Sequence, residues 1–401
     1  MQCLTRKHLG LLHKAPIATF PPSFADTNAS EVRRKMRTFK LWAGGDAHVG
    51  TDLARANRRS LADAILQAEQ GGTDGGPPFE WDIMLDIGDL SGSQTPPDDE
   101  EGEEVVRQYS ASTIHPREDF YNIVGNHDAS GPNEPCQWWF RKWVDPTGEN
   151  SEYSGVHADR RPYPVEGTWE RYSFQVGNVL FLAMGDRNDG GPPVGRGERG
   201  GYPAGAVTRE TFEWWKGKVE ENQDKIIVTA HHHMLRDTTV ASGPWEGVDG
   251  GYHGRFEDGA PIGASYLYFV GGEPNAGAFE SYLAANPGAV DLWLGGHTHT
   301  DPDDTHGGRS HVERKWGVTF VNVAAISKYH GHRNVSMSRL LTFSEEAAEV
   351  NIKCYLHMSD YAPQGWYDRA ERTAPLRMPF SYCRARSPLG SESEQNISKR
   401  Q

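Results

Sequence analysis

The sequence predicts an α/β fold, in which layers of strand and helix pack against each other. TFKLWAGG (38–45) has the composition of a strand. Apolar residues then recur at helical spacing between Leu53 and Gln70, before a pair of glycines that suits a helix end. WDIMLDIGDL (81–90) is a nearly continuous apolar run, as expected for a strand buried on both faces. A strand, a helix and a buried strand in this order indicate an α/β layered architecture.

Further strands are expected along the chain. Gly177-Asn178 separates two apolar runs within 169–186 and predicts the turn of a hairpin. A second hairpin is expected within 338–356. The remaining strand candidates are 120–128, 224–233, 289–299 and 315–327.

Three segments are expected to be loops. PPDDEEGEE (96–104) is acidic and contains a proline pair, so it is expected to be solvated. Gly- and Pro-rich segments near 187–206 and 241–264 are expected to be long insertions. Loops of this length in a compact domain usually carry function or move.

One domain is expected between two polar extensions. The predicted boundaries are an N-terminal extension over 1–37, disordered in part, a single domain with loop insertions over 38–385, and a polar tail over 386–401. The extension has basic residues and a short apolar stretch, but His13 and Lys14 interrupt the core that a signal peptide needs. The compartment stays open, with the cytoplasm favoured over export.

Composition excludes several classes of function. The 41 basic and 55 acidic residues give a net charge of −14, which repels phosphate backbones and makes non-specific nucleic-acid binding unfavourable. No apolar run approaches the roughly 18–20 residues of a membrane-spanning helix. The four cysteines are far apart and form no CxxC pair, so neither a zinc knuckle nor a disulfide-rich scaffold is predicted. The sequence gives no indication of oligomeric state.

Five predicted strands end in the same way, with an apolar run, small residues and then residue types that bind metals. These ends are Gly45-Asp46-Ala47-His48, Gly88-Asp89, Gly125-Asn126-His127-Asp128, His231-His232-His233 and Gly295-Gly296-His297-Thr298-His299. Ligands of open α/β sheets gather outside the carboxyl ends of the strands, so all five ends can converge on one place. Each motif is weak alone, but the ordered set predicts a shared metal site.

The order DxH, GD, GNHD, H, GHxH resembles that of the calcineurin-like metallophosphoesterases, over roughly residues 38–350. The resemblance implies a two-sheet β-sandwich flanked by helices, and a catalytic role for the domain. It also implies two metal ions and hydrolysis of a phosphoester by a metal-bridging hydroxide. The expected substrate is a small phosphorylated molecule, either a phosphodiester or a phosphomonoester.

The resemblance also assigns roles to individual residues. Asp46, His48 and His299 are expected to hold the first metal; Asn126, one histidine of 231–233 and His297 the second; and Asp89 to bridge both. A carboxylate can span two cations through its two oxygens, and neutral imidazole is a common metal ligand. A donor set of nitrogen and oxygen atoms without cysteine favours Mn, Fe or Zn.

Two further assignments concern the chemistry around the metals. His127 matches the histidine of the family that assists the leaving group without binding metal, and Asp128 is expected to orient its ring by a hydrogen bond. The family commonly has a single His or His-His-Pro after its fourth strand. Here both His231 and His232 are candidates for one ligand position. His231 is favoured because it directly follows the apolar run IIVTA.

Two other functions compete with hydrolysis of a phosphoester. A protein of the same fold could bind metal or phosphate as a catalytically inactive scaffold, although the full set of ligands and His127 argue against this. A metal hydrolase of the β-lactamase type would need an HxHxDH motif, which the chain lacks.

Overall fold

The structure is a computed structural model, and it describes most of residues 37–382. The gaps within this range are 93–94, 132, 189–201, 203, 244–254, 258–259, 264–265, 268, 272, 275–276, 330, 332 and 334. The predicted polar tail, almost all of the predicted N-terminal extension and large parts of both loop insertions therefore lie outside the described residues. The domain boundaries stay predictions.

Strands form much of the described chain. In chain order they are β1 (Thr38–Gly44), β2 (Ile83–Asp86), β3 (Phe120–Asn122), β4 (Glu166–Gly167), β5 (Arg171–Val176), β6 (Val179–Met184), β7 (Ala206–Val207), β8 (Ile226–His231), β9 (Arg255–Glu257), β10 (Ala260–Gly263), β11 (Phe269–Val270), β12 (Glu273–Pro274), β13 (Leu292–Gly295), β14 (Val312–Lys315), β15 (Val318–Asn322), β16 (Ser336–Ser344), β17 (Glu349–Met358), β18 (Gly365–Trp366) and β19 (Arg372–Pro375). Both predicted hairpins are present, as β5–β6 and β16–β17.

Seven α-helices occur within the described residues. They are α1 (Val49–Ala56), α2 (Ser60–Gln70), α3 (Asp99–Tyr109), α4 (Trp138–Trp143), α5 (Ser151–Ser154), α6 (Arg209–Glu221) and α7 (Gly277–Ala285). None of them has the length and apolar character that a membrane-spanning helix requires.

Two large sheets contain most of the strands. The first has the order β18-β17-β16-β1-β2-β3, with β19 beside β17, and the second has the order β14-β15-β13-β8-β6-β5-β4. In the first sheet β1, β2 and β3 are parallel. In the second sheet β6, β8, β13 and β15 are parallel. Small sheets pair β9 with β10 and join β7, β11 and β12.

The two large sheets pack face to face around an apolar core. Phe39 of β1 contacts Phe181 of β6, with ring centroids 6.0 Å apart, and Tyr121 of β3 stacks on Phe174 of β5 at 4.3 Å. The same cluster includes buried residues of β2, β8 and β13. Aromatic contacts of this kind and the burial of apolar surface stabilise the sandwich.

Helices cover the outer faces of both sheets. Trp42 of β1 and Met84 of β2 point away from the central core and pack with residues of α2, α3 and α4. On the second sheet, Trp293 of β13 packs with Trp215 of α6 and with residues of α7. The layers are therefore helix, sheet, sheet and helix. This confirms the predicted α/β fold with two sheets flanked by helices.

The prediction of a single helix between Leu53 and Gln70 is wrong. The chain forms α1 and α2 instead, separated by residues 57–59. Asn57 ends α1 in the left-handed region with a φ of 50°, and asparagine tolerates this conformation better than most residues. The buried guanidinium of Arg58 then donates to the carbonyl of Ile326, 2.8 Å away. Tertiary contacts therefore interrupt the helical pattern.

The acidic segment 96–104 is not a loop throughout, because α3 begins within it at Asp99. The side chain of Asp98 caps the helix by accepting a hydrogen bond from the backbone N–H of Glu101, 2.9 Å away. Acidic residues in the first turn also interact favourably with the helix dipole. The same composition that suggested a solvated loop is that of a helix N-terminus.

Candidate metal centre

The candidate site lies at the edge where the parallel strands of both sheets end. Asp46 and His48 follow β1, and Asp89 follows β2. On the second sheet, His297 and His299 follow β13. Residues 126–128 form a short 3-10 turn after β3, and residues 231–233 lie at the end of β8. The fold thus brings the five predicted strand ends to one edge.

The backbone around this edge adopts an uncommon conformation. The φ angle is 53° at Asp46, 44° at His48, 57° at Asp89 and 68° at His297. A left-handed backbone costs a non-glycine residue about 1–3 kcal/mol, and it persists where the surrounding structure enforces it, most often at functional sites. Four of the predicted metal ligands share this feature.

Two glycines allow the loops after β2 and β3 to touch. A Cβ atom on Gly125 would lie 2.2 Å from the backbone nitrogen of Asp89, and one on Gly88 would lie 2.6 Å from the nitrogen of Gly125. Gly88 also has a φ of 99°. Larger residues at these positions would separate the two loops, and with them Asp89 and Asn126.

Asp46, His48 and His299 form one group of potential ligands. Oδ1 of Asp46 lies 2.8 Å from Nε2 of His299, and the Nε2 atoms of His48 and His299 are 3.2 Å apart. All three residues are buried, and one ligand atom from each lies within 4.8 Å of the others. These are the residues predicted to hold the first metal.

A second group lies directly beside the first. Nε2 of His232 is 3.2 Å from Oδ2 of Asp89 and 3.9 Å from Oδ1 of Asp46, so these carboxylates lie between the two groups. His297 has its ligand atom within 4.8 Å of those of His232 and His233. Because the two groups share neighbouring carboxylates, the arrangement suits two adjacent cations.

Several buried polar atoms where the two groups meet make no hydrogen bond. Among the described residues, Oδ1 of Asn126 has no hydrogen-bond partner, and Oδ2 of Asp89 and Nε2 of His232 lie 3.2 Å apart as an ion pair without forming a hydrogen bond. Buried polar atoms in folded proteins are nearly always satisfied, so a cluster of open ones points to a ligand. Carboxylate, amide oxygen and imidazole are all donors to transition-metal ions. The residues present therefore fit a metal centre.

Hydrogen bonds also fix the histidine rings with one nitrogen facing the centre. Nδ1 of His48 lies 2.9 Å from the carbonyl oxygen of Ser91, and Nδ1 of His232 lies 2.8 Å from that of Ile87. A carbonyl oxygen can only accept, so each Nδ1 carries the proton and donates it. In the neutral ring Nε2 is then unprotonated, as a metal ligand requires.

The carboxylates of the centre favour a positive charge between them. Burial raises the pKa of Asp89, but the adjacent His232 and His127 outweigh it and hold that pKa well below its usual range. Burial lowers the pKa of His232, but Asp89 and Asp46 outweigh it and raise that pKa to about 10. The carboxylates thus stabilise a cation strongly, a role that a metal ion can fill.

The structure favours His232 over His231 for the disputed ligand position. In β8, Val228 and Ala230 face the core between the sheets, while Ile227 faces the outer helices. Side chains alternate along a strand, so His231 falls on the outer side. Its Nδ1 accepts a hydrogen bond from the N–H of His233, 3.0 Å away, and burial lowers its pKa to about 3. The geometry therefore favours His232 over the predicted His231, and which of the two binds metal stays a prediction.

His127 borders the centre without belonging to either group of ligand atoms. Its Nε2 is 4.0 Å from Oδ2 of Asp89, and its side chain is 14% exposed. Its backbone N–H donates to Oδ1 of Asp89 at 2.7 Å, which fixes the residue beside that carboxylate. The ring lies between the buried ligands and solvent.

Asp128 makes hydrogen bonds other than the predicted one to the ring of His127. Its carboxylate accepts hydrogen bonds from the backbone N–H groups of Gly125 at 2.8 Å, Ser91 at 2.9 Å and Asp89 at 3.1 Å. Within the part of the chain that the structure describes, its donors are these three amides and not the ring of His127. Asp128 therefore holds together the loops after β2 and β3.

Sequence reasoning missed two polar residues, Asp186 and Asn188, beside the second set of ligands. Nδ1 of His233 lies 2.9 Å from Oδ2 of Asp186, and both residues are buried. Asn188 donates from Nδ2 to the carbonyl oxygen of Asn126 at 2.6 Å. Asp186 follows the apolar run VLFLAMG just as Asp46 and Asp89 follow theirs, and that parallel was the available signal.

Comparisons with known proteins place these observations in a family. A model of the calcineurin-like phosphoesterases matches residues 39–301. No curated protein matches the chain significantly. A Streptococcus pneumoniae protein described as a predicted phosphoesterase has 10% identity and a TM-score of 0.32, covering 85% of this chain and 99% of its own. Vps29 of Chaetomium thermophilum has 10% identity and a TM-score of 0.28, with coverages of 88% and 99%. The family match spans more than half of the chain, so this protein belongs to the calcineurin-like phosphoesterase family.

Proposed function

We propose that the protein hydrolyses a phosphoester with the help of two metal ions. The observation that carries this proposal is that buried atoms able to bind a metal, in Asp89, Asn126 and His232, make no hydrogen bond. The proposed ligands are Asp46, His48 and His299 for the first ion and Asn126, His232 and His297 for the second, with Asp89 between them. Mn, Fe or Zn would suit these donors.

Bound metal ions would lower the pKa of water and neutralise charge on the phosphoryl oxygens. The chain contributes the geometry in which this can occur. Asp46 and Asp89 are fully or almost fully buried, which keeps bulk water from screening their charge. Oδ1 of Asp89 is held by the N–H of His127, so that Oδ2 is left to face His232.

His127 is proposed to donate a proton to the leaving oxygen of the ester. Its backbone is fixed to Asp89, whereas its ring reaches the edge of the buried ligands and keeps some exposure to solvent. A substrate whose phosphoryl group lies at the centre would place its leaving group on this open side. A positioned histidine is well suited to such a transfer near neutral pH.

The proposed substrate is a small phosphorylated molecule, and both diesters and monoesters suit the centre. The net charge of −14 disfavours long polyanions such as nucleic acids, because their association would lack long-range attraction. A small substrate would instead be attracted by the positive charge of the bound metal ions.

The proposal is tested by assaying the Mn²⁺-loaded full chain against p-nitrophenyl phosphate and bis(p-nitrophenyl) phosphate. Asp89→Asn should lower kcat/KM by at least about a hundredfold, more than is typical when a residue behind a ligand is changed. Asp86→Asn is the matched control, because Asp86 is equally buried and lies at the end of β2, three residues before Asp89. Its activity should stay close to that of the wild type.

The outcomes separate the competing functions. Hydrolysis of either ester that depends on Asp89 supports the proposal, and the preferred ester indicates the class of substrate. Hydrolysis of neither ester by protein that holds two metal ions would instead support a binding scaffold. Full activity of the Asp89→Asn variant would contradict the bridging role.

A further inference from the structure

Glu101, on the first turn of α3, connects the two loops that carry Asp46, His48 and Asp89. Its Oε1 accepts hydrogen bonds from the backbone N–H groups of Gly50 at 3.1 Å and Gly92 at 3.2 Å. Its Oε2 accepts one from the hydroxyl of Ser91 at 3.0 Å. One carboxylate therefore joins the segment after β1 to the segment after β2.

The contacts of Glu101 continue directly to a proposed ligand. The carbonyl oxygen of Ser91 accepts the Nδ1 proton of His48 at 2.9 Å, and this bond directs Nε2 of the ring towards His299. The N–H of Ser91 donates to Asp128 at 2.9 Å. A shift of Ser91 would therefore rotate the His48 ring away from the centre.

The residues around these hydrogen bonds are closely packed. A Cβ atom on Gly50 would lie 2.5 Å from Oε1 of Glu101, and one on Gly92 would lie 2.7 Å from Cβ of His48. The loops thus approach both the carboxylate and the histidine as closely as glycine allows. Such close contact transmits the position of Glu101 to His48.

We propose that Glu101 is a positioning residue for the first metal ion, acting through Ser91 and His48. This inference rests on the proposed function, since it assumes that His48 binds a metal. Carboxylates and carbonyls behind a metal-binding histidine fix its orientation, and their loss typically weakens metal binding about 10–100-fold.

The effect of Glu101 should be larger for the first ion than for the second. The ring of His232 is held by the carbonyl of Ile87, which has no bond to Glu101 among the described residues. The backbone at Asn126 is tied to Asn188 instead. Loss of Glu101 should therefore weaken binding of the first ion more than binding of the second.

Calorimetric titration of the metal-free full chain with Mn²⁺ tests this asymmetry. Glu101→Ala should bind one of two ions about 10–100-fold more weakly than the wild type. When Mn²⁺ is limiting, the wild type should give the EPR spectrum of a coupled pair of ions. The Glu101→Ala variant should give that of an isolated ion. Glu103→Ala, an exposed acidic residue on the same helix, is the matched control and should bind both ions as the wild type does.

Glu101→Gln is the conservative variant that should restore binding. Its amide oxygen can accept both glycine N–H groups, and its NH₂ group can donate to the hydroxyl of Ser91. Glu101→Asp keeps the charge but withdraws the carboxylate by one methylene, so it should bind the first ion with intermediate affinity. The Asp variant also provides a test if Glu101→Ala does not fold.

Several results would overturn the inference. Unchanged affinity for both ions in the Ala and Asp variants would do so, as would equal weakening of both ions together with a lower Tm of the metal-free protein. A wild type that binds two ions and hydrolyses an ester, alongside unaffected variants, would refute only the role of Glu101. A wild type that binds no metal would refute the proposed function as well.

Discussion

Two buried aspartates at and just after the end of β2 have pKa values that are shifted in opposite directions. Asp86 and Asp89 are each 1% exposed and are separated by two residues. Burial raises the pKa of Asp86 to about 7, despite its hydrogen bond from Tyr109. The pKa of Asp89 is instead well below its usual range, because histidines surround it and outweigh its burial.

The two carboxylates also differ in the hydrogen bonds that their oxygens accept. Oδ2 of Asp86 accepts from Tyr109 at 2.6 Å and from Asn122 at 3.3 Å, and its Oδ1 accepts from the N–H of Gly88. We refer to Asp86, Tyr109 and Asn122 as the Asp86 cluster. At the candidate metal centre, Oδ2 of Asp89 has no hydrogen-bond partner among the described residues. A buried polar cluster that satisfies itself stabilises the fold, whereas one with open atoms has capacity to bind.

The largest expected difference between the two regions is in turnover. His127→Ala should lower kcat by about 10²–10⁴-fold, the usual contribution of a proton donor, while the protein keeps both metal ions. Tyr109→Phe in the Asp86 cluster should leave kcat unchanged. It should lower the free energy of unfolding by about 1–3 kcal/mol, because Asp86 loses a buried donor.

Steady-state kinetics, metal analysis and urea unfolding of both variants test this difference. Loss of metal from His127→Ala would show that His127 is itself a ligand. Unchanged kcat in that variant would remove it from the reaction, and reduced kcat in Tyr109→Phe would mean that the two regions are coupled.

A smaller effect should distinguish two adjacent histidines. His232→Ala removes a proposed ligand, so one of the two ions should bind at least about tenfold more weakly. His231→Ala removes an outward-facing ring that bonds to the backbone of His233. It should lower stability but leave metal affinity close to that of the wild type. Calorimetric titration with Mn²⁺ measures both; the opposite pattern would restore the ligand role to His231.

These histidines show what the sequence could and could not predict. The five strand ends were predictable, because parallel strands place their carboxyl ends at one edge and metal binding requires particular residue types. The choice within residues 231–233 was not, because β8 is buried on both faces. An apolar run without alternation does not reveal which side chains point inward.

The acidic segment 96–104 shows a second limit of the sequence. Its composition suits both a solvated loop and a helix N-terminus, and only the contacts of Asp98 and Glu101 distinguish them. Asp128 likewise has the position expected from the motif, but its donors are backbone amides brought close by two glycines. Such contacts between distant segments leave no local pattern in the sequence.

The smallest predicted effect concerns the pH dependence of stability and tests the Asp86 cluster alone. The carboxyl of Asp86 has a pKa of about 7 in the folded chain against an ordinary value of 3.8. The unfolded chain therefore releases this proton at lower pH than the folded chain does. Between these two values the folded state binds more protons, so the contribution of Asp86 to stability falls as the pH rises.

Asp86→Asn should remove this dependence, since asparagine resembles the protonated acid and does not titrate. The stability of the variant relative to the wild type should therefore increase by roughly 2 kcal/mol from pH 5 to pH 8. Urea unfolding of both metal-free proteins at the two pH values measures the change, and comparing the two cancels groups that titrate in both. An equal pH dependence would mean that Asp86 is ionised in the fold like Asp89. The contrast between the two aspartates would then rest on their open and closed hydrogen bonds, not on charge.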